Sequence, residues 1–129
     1  MNSPNRPLVL VVDGQDASRR ELCESLAASP LALTEAASAA GAAKALQKQL
    51  PVLILAELRL PDASGFGFCR SLREDPRTAR LGVILVSRWA SDIDRILALE
   101  SGADDFLARP FSARELRSRV EAVLRRRLG

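Results

Sequence analysis

The side chains of this sequence that could take part in chemistry stand at the ends of short apolar segments. Glu57, for example, directly follows the continuous apolar run 52–56. Carboxylates, a hydroxyl and a cation that meet in one place could bind a divalent metal and a phosphoryl group. The side chains at these segment ends are Asp13, Glu57, Ser87 and Arg109. They predict a site for phosphoryl chemistry, provided that one scaffold gathers them.

Apolar runs of strand length alternate with amphipathic segments along the chain, and this alternation predicts the scaffold. The predicted strands are 8–12, 31–36, 52–56, 82–87 and 105–108, and the predicted helices begin near residue 16 and at 39–50, 66–73, 91–101 and 113–128. Such a pattern is typical of an α/β fold with a doubly wound, five-stranded parallel sheet and helices on both faces. Functional residues of these sheets gather outside the carboxyl ends of the strands.

Length and composition narrow the class of protein. A chain of 129 residues predicts one domain over residues 1–129, with residues 1–7 as a disordered tail. No apolar run approaches the roughly 18 residues of a membrane span, and no secretory signal is evident, so we expect a cytoplasmic protein. The chain has no histidine, which excludes histidine-based catalysis and a phosphohistidine within it. Cys23 and Cys69 lack metal-ligand spacing and are interpreted as reduced structural thiols.

The charge of the chain gives little support for nucleic-acid binding. The formal net charge is +3, and many of its arginines lie in the last predicted helix. These arginines alternate with apolar residues at helical spacing, which is typical of a solvated face on a docked helix. Because no stacking aromatic accompanies them, nucleic acid is not an expected partner.

Several segments together resemble a bacterial response-regulator receiver domain, the flavodoxin-like module of two-component signalling. In chain order they are residues 8–13, 61–65, 83–87, 98–106 and 109–111. The last of these reads Arg-Pro-Phe where the family usually has Lys-Pro-Phe. The resemblance covers nearly the whole chain and implies a flavodoxin-like (βα)5 fold.

The resemblance also implies a role for each site position. In the family, an aspartate at the end of the third strand accepts a phosphoryl group from a partner kinase, and Glu57 stands there. Two acids after the first strand help to hold Mg²⁺, and here the two positions carry Asp13 and Gly14. The carbonyl of the residue two beyond the acceptor, here Arg59, is a further ligand. The phosphate-binding positions are Ser87 and Arg109, and Ser87 and Phe106 are the switch positions.

The departures from this pattern predict that the phosphorylation pocket is degenerate. Gly14 supplies no carboxylate, Glu57 is one methylene longer than aspartate, and Arg109 has a planar fork of donors instead of a point charge. Arg88 stands where the family has a small residue, and could lie across the pocket mouth. We therefore expect that Mg²⁺ binding is lost or weak and that the domain has no cofactor. One hypothesis pairs Glu57 with Arg109 directly, even in bidentate fashion, with Asp13 nearby; the alternative is that Arg109 points to solvent.

The sequence therefore predicts a non-enzymatic pseudo-receiver, a module that binds proteins independently of phosphorylation. Partners are expected on the surface of the fourth helix, fifth strand and fifth helix, and a homodimer is one alternative. Trp89 either packs against its neighbours or anchors a partner together with Arg88 and Arg95. Two other functions stay open: a phosphoacceptor that uses Glu57 or Asp62, and the regulatory domain of a longer response regulator with a DNA-binding or catalytic output domain.

Overall fold

The computed structural model describes residues 6–89 and 91–128. Strands and helices alternate along the chain. In chain order the elements are β1 (Leu8–Val12), α1 (Asp16–Leu26), β2 (Ala32–Ala36), α2 (Ala39–Lys48), β3 (Leu53–Glu57), α3 (Gly65–Glu74), β4 (Gly82–Ser87), α4 (Asp92–Glu100), β5 (Asp105–Ala108) and α5 (Ala113–Leu128).

The strands form one parallel sheet in the order β2-β1-β3-β4-β5. This is the flavodoxin-like order, so the predicted fold class is confirmed. The chain reverses its winding direction after β2, and this topological switch lies between β1 and β3. Asp13 directly follows β1, and Glu57 is the last residue of β3.

The two faces of the sheet are covered by different helices because strand side chains alternate between the faces. On one face, Leu10, Ile54 and Leu85 pack with buried residues of α2, α3 and α4. On the other face, Val11 and Leu55 pack with buried residues of α1 and α5. All residues of β1 after Leu8, and all of β4, are buried. Burial on both faces explains why these strands are apolar throughout.

Most predicted elements differ from the structure by one or two residues at their ends. The second helix ends at Lys48 rather than at residue 50, and β3 extends through Glu57. Asp16 is the first residue of α1 and not its cap; Gln15 occupies the cap position without a side-chain hydrogen bond. A glycine after an amphipathic segment predicts the end of a helix, and Gly102, with φ of +102°, follows α4.

The sequence of the last helix, with Ser112 before it and Glu115 in its first turn, predicts a capping box. The hydroxyl of Ser112 accepts a hydrogen bond from the Glu115 amide. Among the described residues the reciprocal bond of a capping box is instead made at α4, between Ser91 and Asp94. The predicted tail, residues 1–7, lies mostly outside the residues that the structure describes. Within the described ranges, no helix has the length and apolar character needed to cross a bilayer.

Candidate functional site

Strand register brings three charged side chains to the same place. Val12 pairs with Ala56 in the sheet, so Asp13 and Glu57 follow on adjacent strands. Asp13, Glu57 and Arg109 each stand two residues beyond a buried side chain on the α1 and α5 face, namely Val11, Leu55 and Leu107. Because side chains alternate along a strand, all three extend on that same face. The predicted gathering of these residues is therefore present.

Asp13 is buried, and its carboxylate is held by the start of α1. The Gln15 amide donates to Oδ1 at 2.9 Å, and the Ser18 hydroxyl donates to Oδ2. Arg19 also donates to the main-chain carbonyl of Asp13 at 2.7 Å. These bonds come from residues of the loop and the first turn of α1. The loop after β1 and the first turn of α1 thus fix the position of the Asp13 carboxylate.

Arg109 places its guanidinium between the two carboxylates. Its Nε lies 3.8 Å from Oε2 of Glu57, and its Nη2 lies 3.9 Å from Oδ2 of Asp13. Its hydrogen bonds go elsewhere: Nη2 donates to the Ser18 hydroxyl at 2.9 Å and Nη1 donates to Glu21 at 3.3 Å. The side chain is only 8% exposed, so the alternative in which it points to solvent is wrong.

The hypothesis of a bidentate pair needs correction. Arg109 and Glu57 lie within ion-pair distance, but 3.8 Å is too long for a hydrogen bond. Nε of Arg109 is buried and has no hydrogen-bond partner among the residues described. The forked side of the guanidinium is turned toward Ser18 and Glu21, on α1, because these groups offer it closer acceptors. Ser18 and Glu21 are site residues that the sequence analysis missed, since only the docking of α1 brings them here.

Glu57 lies in an environment that disfavours its charge. Burial raises the pKa of its carboxyl, and the nearby charge of Asp13 raises it further. Arg109 and the main-chain amides of Leu58 and Arg59 act in the opposite direction, but the pKa stays above its ordinary value. Glu57 thus has a raised pKa because burial and the charge of Asp13 outweigh the effect of Arg109, whose Nε makes no hydrogen bond among the described residues.

The residues around Asp13 and Glu57 do not fit Mg²⁺ well. This ion prefers octahedral oxygen ligands, whereas the Arg109 guanidinium already lies within 4 Å of both carboxylates and would compete with a metal ion for them. No carboxylate comes from Gly14, and a Cβ placed on it would lie 2.6 Å from Cγ of Pro61. Among the described residues, no three acidic or cysteine side chains are grouped to hold a metal ion. That Mg²⁺ binding is lost or weak stays a prediction.

Ser87 ends β4 but takes no part in the Arg109 network. Its hydroxyl donates a hydrogen bond to the Trp89 carbonyl at 3.2 Å and accepts one from the Trp89 amide at 3.3 Å. Ser87 stands two residues beyond Leu85, which packs on the α2, α3 and α4 face. Side-chain alternation therefore directs it to the opposite face from Arg109. The second predicted switch residue, Phe106, is 3% exposed and packs on the same face as Leu85.

The cavity at the pocket mouth is lined by residues at or just after the ends of β1, β3 and β4. A cavity of about 70 Å³ is lined by Asp13, Gln15, Glu57, Arg59, Arg88 and Trp89. Arg88 therefore lies at the mouth, as its position predicted. The guanidinium carbon of Arg59 lies 5.9 Å from the centroid of the Trp89 ring, in cation–π range.

One member of the predicted partner patch, the exposed Arg95, also contacts β5, and its role in binding a partner stays a prediction. Arg95 was grouped with Trp89, but its guanidinium carbon lies 5.5 Å from the centroid of the Phe106 ring. Its Nη1 also donates to the Phe106 carbonyl at 3.3 Å. The helical turn that separates Arg95 from the loop directs it toward β5. Arg59, from the loop after β3, takes the place at Trp89 that was expected for Arg95.

Asp62, the alternative acceptor, has a structural role. Its two carboxylate oxygens accept hydrogen bonds from the amides of Ala39 and Ala40 at 2.9 and 3.0 Å. These amides belong to the first turn of α2, which has no acidic residue of its own. The two hydrogen bonds lower the pKa of Asp62 below its ordinary value. Asp62 thus caps a neighbouring helix.

The last helix is more closely tied to the fold than its arginine-rich sequence suggested. Arg127 donates to Asp104 from Nε, at 3.1 and 3.3 Å to the two carboxylate oxygens, and from Nη2 at 2.7 Å. Asp104 also pairs with Arg73 and accepts from the Val83 amide. Arg119 pairs with Asp105 at 3.2 Å. Arg119 and Arg127 are exposed, as predicted for a solvated face, and their ion pairs also join α5 to the start of β5.

Comparisons with known proteins agree with this architecture. A family model described as the response regulator receiver domain matches residues 9–121. The chain is 40% identical over 120 residues to the transcriptional regulatory protein AfsQ1 of Streptomyces coelicolor, an alignment that covers 93% of this chain and 52% of AfsQ1. It is 36% identical over 127 residues to the transcriptional regulatory protein GltR of Pseudomonas aeruginosa, covering 98% of this chain and 52% of GltR. The chain thus spans about half the length of these relatives.

Solved structures are similar over almost the whole chain. A response regulator structure from Chloroflexus aurantiacus superposes with a TM-score of 0.89 at 29% identity, covering 94% of this chain and 99% of that one. The receiver domain of Francisella response regulator 1452 gives a TM-score of 0.85 at 26% identity, covering 94% and 98%. The family match, which spans most of the sequence, and the sheet order agree. The chain therefore belongs to the response regulator receiver domains.

Proposed function

We propose that this receiver domain signals by binding proteins and does not accept a phosphoryl group. The observation that carries the proposal is the position of Arg109, whose buried guanidinium lies within 4 Å of both Asp13 and Glu57. Phosphoryl transfer in a receiver needs a metal ion near these carboxylates and an open approach to the acceptor. A fixed guanidinium occupies the charge-balancing position instead.

Three further features support this proposal. Gly14 provides no acidic metal ligand, and Pro61 packs against it so closely that no side chain fits there without movement. Glu57 displaces its carboxylate by a methylene, and a shift of ~1 Å can reduce the rate of transfer ~100-fold. The remaining cavity is only about 70 Å³. Each feature opposes phosphorylation by a different physical route, so reversing one of them leaves the others in place.

The resting conformation of the domain is proposed to be active-like. The family resemblance implies that the aromatic switch residue turns inward on activation. Phe106 is buried, with Arg95 over its ring and bonded to its carbonyl. Phe106 has no hydroxyl group that would bring it back toward solvent. Cation–π and packing contacts within this chain thus hold the inward position without a phosphoryl group.

A partner is proposed to bind the face formed by α4, β5 and α5. Helix α4 buries only Ala98 and exposes large aliphatic side chains on its remaining surface: Ile93, Ile96, Leu97 and Leu99. Exposed apolar clusters of this kind favour association. A second copy of the chain is one form that such a partner could take. Sedimentation of the purified domain over a range of concentrations would test for it.

A second function is favoured by the comparisons. AfsQ1 and GltR are transcriptional regulatory proteins, and this chain aligns with about half of each. A protein that contains this chain could therefore carry an output domain, in which case the receiver would present its active-like face to that domain. In this alternative the α4, β5 and α5 face binds an output domain of the same protein, and the binding is still independent of phosphorylation.

Intact mass spectrometry after incubation with acetyl phosphate and Mg²⁺ tests the central proposal. We expect no mass gain, whereas a receiver domain that has the usual aspartate, treated in parallel, gains one phosphoryl group. A gain on the wild-type chain that disappears in Glu57→Gln would refute the proposal. A gain that instead disappears in Asp62→Asn would also refute it and would identify Asp62 as the acceptor.

A further inference from the structure

The mouth of the degenerate pocket carries an unusual exposed group of side chains. Trp89 is 66% exposed, although it is the only tryptophan of the chain. Arg59 lies over its ring, and Arg88 lines the same cavity from the residue before it. We call Arg59, Arg88 and Trp89 the mouth patch. A large aromatic side chain with so much free surface can contribute strongly to an interface.

The two arginines of the mouth patch have unneutralised charge. Within residues 6–89 and 91–128, neither Arg59 nor Arg88 has a carboxylate within 4.0 Å. The carboxylates of the cavity floor are instead close to Arg109, which is within that distance of Asp13, Glu57 and Glu21. The floor keeps a net negative charge, with one guanidinium against three carboxylates, but none of these carboxylates lies within 4.0 Å of Arg59 or Arg88, so both guanidiniums can pair with a ligand.

An exposed aliphatic side chain follows the mouth patch in the sequence. Helix α4 begins three residues after Trp89, and Ile93 in its first turn is 67% exposed. A partner that contacts Arg59 and Arg88 could thus continue onto an aliphatic surface. Two guanidiniums, an aromatic ring and an adjacent aliphatic side chain together favour a ligand with both carboxylates and apolar groups.

We propose that the mouth patch binds an acidic segment of a partner protein. Carboxylates of the segment pair with Arg59 and Arg88, where the planar guanidinium allows bidentate hydrogen bonds. An apolar side chain of the segment packs on Trp89. This inference rests on the proposed function, because a domain that exchanged phosphoryl groups would need this mouth to be open. It assigns a binding role to the pocket entrance, which is centred on Arg59, Arg88 and Trp89 and borders the α4, β5 and α5 face at Ile93.

The surrounding charges favour a peptide over a nucleic acid. Asp92 and Glu100 are exposed on α4, next to the apolar surface, and they would repel a continuous phosphate backbone. Single-stranded nucleic acids are bound by several stacking aromatics along a basic groove. Here one aromatic residue stands with two arginines. A short acidic segment can place its carboxylates on those arginines and avoid the acids of α4.

A peptide-display selection against the wild-type domain provides the test, with Trp89 fluorescence as the quantitative measurement. We expect bound peptides to be enriched in Asp and Glu beside a large apolar residue. A synthetic copy of a selected peptide without tryptophan should shift the Trp89 emission to saturation. Arg59→Glu with Arg88→Glu should weaken this affinity at least about tenfold, because two charge-assisted contacts become repulsive.

A matched pair of charge reversals serves as the control. Arg20→Glu with Arg125→Glu makes the same change in net charge at exposed residues of α1 and α5, and should leave the affinity unchanged. The inference is overturned if selection yields no binders, if the peptides lack acidic enrichment, or if the mouth-patch variant binds them equally well. Tighter binding of a single-stranded oligonucleotide than of the peptide would also overturn it. None of these results depends on the mass measurement with acetyl phosphate, so the two proposals can fail separately.

Discussion

Arg109 and Glu57 face each other at 3.8 Å across the ends of β5 and β3, yet no hydrogen bond joins them. Arg109 instead donates to Ser18, whose hydroxyl donates onward to Asp13. The guanidinium thus offsets part of the charge of two acids, and its direct bonds tie the end of β5 to α1. Charge balance in the pocket therefore depends on Arg109.

Replacement of Arg109 by methionine should destabilise the domain. Asp13 and Glu57 would then be close together without a cation, and removing one member of a buried ionic group costs about 3–5 kcal/mol. Urea unfolding would measure the loss. The double variant Arg109→Met with Glu57→Gln should lose less than the single one, because one of the two repelling charges is gone. If the change in the double variant equals the sum of the changes in the Arg109→Met and Glu57→Gln single variants, Glu57 and Arg109 do not interact.

Replacement of Glu57 by glutamine should stabilise the domain at neutral pH. The folded state raises the pKa of Glu57 above its ordinary 4.5, mainly through burial and the charge of Asp13. The folded form therefore binds this proton more tightly than the unfolded form, and its stability falls as pH rises through the folded pKa. Glutamine cannot ionise and avoids this loss.

The pH dependence separates this effect from simple repacking. Free energies of unfolding of wild type and Glu57→Gln, measured from acid to neutral pH, should converge below pH 4.5 and diverge above it in favour of the variant. A constant difference across that range would mean that the charge of Glu57 is not responsible.

Aspartate at position 57 should not by itself restore phosphorylation. Glu57→Asp shortens the side chain but leaves Gly14 without a carboxylate and Arg109 between the acids. Treatment with acetyl phosphate and Mg²⁺ should therefore give no mass gain. The combined Gly14→Asp, Glu57→Asp and Arg109→Lys variant tests the reason, although the side chain added at position 14 must displace Pro61. A full gain in the single variant would show that residue 57 alone blocks the reaction.

The stability that Asp62 contributes should rise with pH, in contrast to the effect of Glu57, which lowers stability as pH rises. The Asp62 carboxylate accepts from the amides of Ala39 and Ala40, which lowers its pKa below the ordinary 3.8. Its stabilising effect is present above that value and is lost as pH falls through the folded pKa. Asp62→Asn should thus be less stable than wild type near neutral pH, and the difference should shrink in acid. Far-UV circular dichroism during urea unfolding would show this, and no shrinkage would argue against the cap.

The sequence was sufficient to predict the scaffold because its signals are local. Continuous apolar strands, amphipathic helices and Gly102 after α4 depend on neighbours along the chain, and they predicted the parallel sheet. Asp13, Glu57 and Arg109 could be placed together because strand ends in such a sheet share one edge. Boundary errors of one or two residues arose where tertiary hydrogen bonds extend a strand, as at Glu57.

The direction of each side chain was decided only by tertiary structure. Ser87 ends β4 and Arg109 follows β5, but alternation sends Ser87 to one face of the sheet and Arg109 to the other. Arg109 bonds to Ser18 because the docking of α1 brings that hydroxyl within 2.9 Å. Arg59 rather than Arg95 meets Trp89 because two loops far apart in sequence converge at the pocket mouth. Residue types at strand ends thus determined which groups share the site, and packing between distant elements determined which of them touch.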